Sequence, residues 1–198
     1  MSAANDAPEG SWREILTWRA HDGLRMESTR VQLSGNRIKA SGRIVAATSA
    51  THPAFSASYD LVTDESGATK RLSLIVTVAE RDRQLSIARD EENMWLVSDH
   101  RGQSRGSYGG AIDVDVVFSP FFNALPLRRT GLHRRVDAVT LPVVYVMLPE
   151  LTVKPASIGY SSAGPGAGIE LNSPVAQTTI TVDEHGLIVD YPALAERI

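Results

Sequence analysis

Two aspartates stand two residues apart in the segment Ile112-Asp-Val-Asp-Val-Val-Phe118. Side chains alternate across a strand, so Asp113 and Asp115 share one face while Ile112, Val114, Val116 and Phe118 fill the other. Two residues of strand rise hold their Cα atoms about 6.6 Å apart, near the carboxyl separation used by inverting glycosidases. Three uses fit such a pair: acid/base catalysis, pairing with a ligand or an arginine, and plain solvation. Catalysis also demands a pocket and opposed positions across the substrate. Further along, Arg128, Arg129, Arg134 and Arg135 fall within eight residues. They could clasp a phosphate or carboxylate, pair internally or remain solvated.

Other chemistries are weaker or excluded. Gly102-Gln-Ser104-Arg-Gly106 matches the G-x-S-x-G pattern of serine hydrolases. That motif needs a strand before it and a helix after it, and here a Gly-rich stretch and another strand follow. Gly164-Pro-Gly-Ala-Gly168 lacks the Lys-Ser/Thr of a phosphate loop and reads as a turn. The five histidines are scattered singly, without the spacing that clips a metal, and no metal or cofactor is expected. The absence of cysteine removes disulfides, thiolate zinc sites and a Cys nucleophile. A net charge of −3, with one short basic cluster lacking nearby aromatics, is a poor footprint for nucleic acid.

The elements that must carry these residues read as strands. Leu24 to Leu33 alternates apolar and polar residues, Ser34-Gly-Asn36 interrupts it, and Arg37 to Ala46 resumes in the same style. Ala57 to Thr63 and Arg71 to Val78 flank the turn Asp64-Glu-Ser-Gly67. Gln84 to Arg89 and Met94 to Ser98 flank Asp90-Glu-Glu-Asn93. Beyond a Gly- and Ser-rich loop, His100 to Gly110, further strands follow at Ala111 to Phe118, Arg135 to Met147 and Leu151 to Tyr160. Gln177 to Val182 and Leu187 to Tyr191 make a closing hairpin. Helix is scarce, with Ser11 to Arg19 and Ala193 to Ile198 as candidates. About eleven strands with short turns predict an all-β, single-domain antiparallel sheet curled into an open or incompletely closed barrel. Residues 1 to 11 read as a flexible N-terminal arm and 12 to 198 as the domain.

The residues from Gly110 to Arg129 resemble a bacterial glycolipid-binding family. That family is marked by a D-x-D strand running into a T/S-P-x-x-N-x-L-P-x-R-R element. It maps here onto Asp113, Asp115, Ser119, Pro120, Asn123, Leu125, Pro126, Arg128 and Arg129. The ending Gly186-Leu-Ile-Val-Asp-Tyr-Pro192 is similar to the family's closing strand. Trp18, Glu27, Tyr59, Asp64, Trp95 and Tyr160 fall near its sparser markers. Phe122 and Thr130 depart from the pattern, standing where Thr and Leu are usual. The resemblance implies a fold like that of lipoprotein carriers, a half-barrel whose concave face could take an acyl chain.

The expected function is therefore non-enzymatic binding of a lipid or glycolipid. The tail would supply affinity at about 0.8 kcal/mol per buried CH₂. The head would be oriented by Asp113, Asp115, Asn123, Arg128, Arg129, Tyr160 and Trp95. Under a second reading Arg128 and Arg129 pair with the aspartates, and Ser119 to Arg129 is a crossover strap fixed by its prolines. A hydrolase using Asp113 and Asp115, and an interaction protein with no small ligand, are the alternatives from other classes; the oligomeric state stays open. No basic-then-apolar leader opens the chain, and the longest apolar run, Leu141 to Leu148, has eight residues against the roughly 20 a spanning helix needs. A cytoplasmic location is expected.

Overall fold

Apolar and polar residues alternate so regularly from residue 25 to 63 that strands there bury every second side chain. The computed structural model describes residues 11–192 and 194–198. Eight strands follow in order: β1 (Ser11–Ala20), β2 (Arg25–Ser34), β3 (Arg37–Ala46), β4 (Phe55–Thr63), β5 (Thr69–Val78), β6 (Arg81–Arg89), β7 (Trp95–Asp99) and β8 (Gly102–Gly106). In β2, Glu27, Thr29, Val31 and Leu33 are buried while Met26, Ser28 and Arg30 face out. The second half holds β9 (Asp113–Val116), α1 (Ala124–Thr130), β10 (Val136–Met147), β11 (Thr152–Ala163), β12 (Ile169–Asn172), β13 (Gln177–Val182), β14 (Ile188–Tyr191) and β15 (Ala195–Arg197).

All fifteen strands form one sheet, ordered β8-β7-β6-β5-β4-β3-β2-β1-β15-β14-β13-β12-β11-β10-β9. The two halves join where the ends of the chain meet, Trp18 of β1 opposite Arg197 of β15. Every neighbouring pair is antiparallel except β9 with β10, which run parallel and set Asp115 beside Tyr145. The sheet curls without closing into a barrel. Its β9 end nonetheless reaches the first half: the Thr69 amide donates to Ile112 O at 2.9 Å, and the indole N–H of Trp95 donates to Ala111 O at 2.7 Å.

The concave face is filled. After β9 the chain turns at Phe118, whose φ is +76°, then enters a 3-10 turn at Phe121–Asn123 and α1. Phe121, Phe122, Leu125 and Leu127 are fully buried. Phe121 lies 6.1 Å from the Tyr59 ring and 6.5 Å from Trp18, and Phe122 lies 5.0 Å from Tyr59. The helix accepts Pro126 because it falls in the first turn, where the missing amide would have had no partner. It stops at Gly131, left-handed at φ +71°.

Several sequence expectations change. Ser11 to Arg19 and Ala193 to Ile198 are the helix candidates of the sequence, yet β1 and β15 occupy them; tertiary pairing overrides weak local preference in such short segments. Ala193 itself lies outside the described residues. The expected loop His100 to Gly110 contains edge strand β8. Ser104 therefore sits in a strand, not at a strand-to-helix elbow. The strap from Ser119 to Arg129 contains a helix, and β12 is a strand the sequence did not suggest. The expected arm, residues 1 to 11, lies outside the described residues but for Ser11, which opens β1.

Candidate functional site

The strap from Ser119 to Arg129 meets the sheet through polar side chains as well as through its buried apolar ones. Arg129 donates to Asp113, Nη2 to Oδ2 at 2.6 Å and Nε to the same oxygen at 3.2 Å. The Asp113 side chain has no exposure at all. Burial pushes its carboxyl above the usual range, and the Arg129 guanidinium offsets only part of this. Beside this pair Arg89 reaches from β6 to Asp64 at 2.6 Å and to Thr69 O at 2.9 Å. Asn123 accepts from the hydroxyl of Tyr160 at 2.9 Å. Arg128 points elsewhere, to Gly35 O at 3.1 Å and to His185 O. Trp95 is a fully buried core residue whose one polar atom is committed to Ala111.

Asp115 is different. Its place in the parallel register puts it on the same face as Tyr145. Burial raises the pKa of Tyr145, Tyr160 and Tyr191, and the Asp115 charge adds to the shift. Among the described residues no side chain donates to it, and the Val116 backbone lowers its pKa only slightly against the effect of burial. Burial lifts its pKa to about 7. The result is a carboxyl group, half protonated near neutrality, beside Tyr145 of β10.

A second buried carboxyl lies at the start of the strap. Glu27 Oε1 accepts from the Tyr59 hydroxyl at 2.5 Å, from Ser119 at 2.7 Å and from Thr29 at 3.3 Å. Its other oxygen is buried without a partner. Desolvation raises its pKa to about 7 against these hydrogen bonds and the nearby Arg25. Arg25 in turn lies 4.7 Å above the Phe118 ring. Glu27 and Tyr59 carried a family signal, but their union with Ser119 depends on sequence separations of 32 and 92 residues. Tyr145 and Tyr191 were missed for a similar reason. Only the parallel register of β9 on β10 reveals which residues accompany Asp115.

Of the seven sequence candidates, the structure joins Asp113 to Arg129 and Asn123 to Tyr160, sets Asp115 beside Tyr145 instead, and holds Arg128 and Trp95 apart. No cluster of three metal-ligating side chains occurs among the described residues. A polar groove of about 710 Å³ runs over β10 to β13 and includes Thr140, Ser161, Asn172, Gln177 and Thr179. It opens at Gly159, where no side chain stands between Thr140 and Asn172. These groups lie on the face of β11 opposite to Tyr160.

A family model described as "Putative glycolipid-binding" matches residues 15–197. The fold is similar to that of a DUF1089 family protein from Pseudomonas aeruginosa known by crystal structure. The two share 21% identity and a TM-score of 0.69 over 100% of this chain and 97% of that one. No curated protein matches the chain.

Proposed function

This chain belongs to the glycolipid-binding family, and we propose on that premise that it binds the polar head of a glycolipid without transforming it, at Asp115 on the concave face. The observation that carries this reading is Asp115 itself: a buried carboxyl to which no side chain donates among the described residues, held beside Tyr145 by the β9–β10 register. A carboxyl group accepts from sugar hydroxyls and tyrosine rings cover the apolar face of a pyranose, so the chemistry suits a sugar. Asn123 and Tyr160 extend the polar surface, while Asp113, Arg128, Arg129 and Trp95 hold the strap and its strands in place.

The reading is non-enzymatic because Asp113 is committed to Arg129. A glycosidase needs two available carboxyl groups, and this site offers one. The acyl tail fares differently from the sequence expectation. Phe121, Phe122, Leu125 and Leu127 occupy the concave face where a tail would lie, so recognition falls on the head.

A second reading places the head in the outer groove over β10 to β13, favoured by its open volume of about 710 Å³ and its hydroxyl and amide lining. Native mass spectrometry of the chain purified from its own host, followed by lipid extraction, tests both. A stoichiometric glycolipid lost in Asp115→Asn and kept in Asn172→Ala supports the first reading. The reverse supports the second. A protein carrying no lipid, with neither variant altering uptake of added glycolipid, overturns both.

A further inference from the structure

The outer face of β2 to β5 concentrates positive charge on a chain whose net charge is −3. Its outward side chains include Arg30, Arg37, Lys39, Arg43 and Arg71 against one acid, Asp60. Arg37 pairs with Glu65 at 2.8 Å. The other four cations have no ion-pair partner among the described residues. Asp60 is engaged by Ser41 at 2.6 Å.

The same face exposes aliphatic side chains. Ile15 is 66% exposed, Val45 54%, Ile75 45% and Met26 41%. They alternate with the cations in register: Ile15 is opposite Arg30, Met26 opposite Val45, and Arg43 shares its row with Ile75 through Ser58. Between Arg30, Lys39 and Arg71 lies a cleft of about 720 Å³ whose lining includes Ser73, Ser86 and Asp60, the last already taken by the Ser41 hydroxyl. It offers hydroxyl donors beside cations, the combination that a phosphodiester headgroup requires.

We propose that this face docks the protein onto an anionic phospholipid bilayer, the four free cations meeting lipid phosphates and the aliphatic side chains entering the headgroup boundary. Charge complementarity selects the partner. Lysine and arginine near an anionic leaflet each add attraction, and interspersed aliphatic residues add apolar burial. Nucleic acid fits less well, because Trp18, Phe55 and Tyr59 point inward and leave this face without a ring on which a base could stack.

The test is co-sedimentation of the full chain with vesicles of phosphatidylcholine alone and of phosphatidylcholine mixed with phosphatidylglycerol. Binding is expected only to the second, weakening at high salt and falling by at least about tenfold in the triple variant Arg30→Ser, Lys39→Ser, Arg71→Ser. Val45→Ser with Ile75→Ser should weaken it independently. All these side chains face solvent, so the variants should melt as the parent does; Lys39→Glu alone reads the same quantity if the triple variant does not. Failure to sediment with anionic vesicles, equal binding by the charge variants, or preferential binding to duplex DNA would overturn the proposal. The vesicles hold no glycolipid, so the result stands apart from the head-group reading.

Discussion

Arg129 of α1 closes on Asp113 of β9 with two nitrogens on one carboxylate oxygen, at 2.6 and 3.2 Å. The pair joins the strap to the far edge of the sheet, because β9 is the strand that the strap leaves and the last in the sheet order. Removing the arginine alone strands a fully buried carboxylate. Arg129→Ala should cost on the order of 3 to 5 kcal/mol, whereas a well-packed apolar replacement of both residues should recover most of it. Urea unfolding of the single and double variants checks this. A loss below about 1 kcal/mol in Arg129→Ala would mean that the pair does not brace the strap.

Stability should fall as pH rises from about 4 to about 7. The folded pKa values of Glu27 and Asp115 both stand at about 7, above their ordinary values of 4.5 and 3.8. In that window the unfolded chain has lost these protons and the folded chain keeps them, so the folded state binds more protons and each rise in pH favours unfolding. Each group accounts for roughly 3 to 4 kcal/mol, complete below the unfolded pKa and gone above the folded one. Glu27→Gln should remove about half of the slope. A stability curve that climbs through the window instead would contradict the burial of both carboxyls.

Gly42 leaves room for Tyr59. A Cβ at residue 42 would fall 2.6 Å from Tyr59 Cε1 and closer still to the end of the ring. Gly42→Ala should therefore push the Tyr59 hydroxyl off Glu27 and cost about 1 to 3 kcal/mol. Ultraviolet difference spectra would report a change in the environment of Tyr59. Unaltered spectra and stability would show that the ring can move without loss.

Much of this fold could be read from residue order, and the limit was sequence distance. The hairpins from β2 to β7 follow from local alternation and turn residues such as Ser34-Gly-Asn36, since each strand pairs with its sequence neighbour. The strands β1 and β15 pair with each other across 170 or more residues, and no local pattern announces that. Edge strand β8 has the composition of a loop, with four of its five residues exposed. At the site, the D-x-D alternation put both aspartates on one face. Their divergence, one clamped by Arg129 and one left among tyrosines, depends on where α1 falls and on a parallel pairing that the alternation does not encode.

A glycolipid head held at Asp115 should register in the chemical shifts of the tyrosines. The tyrosine-labelled full chain would be titrated by NMR with octyl glucoside, and with octyl phosphocholine as a tail-matched control. Glucoside-specific shifts are expected at Tyr145, Tyr160 and Tyr191, and they should vanish in Asp115→Asn. Equal shifts from both amphiphiles, or glucoside shifts that survive the substitution, would contradict it.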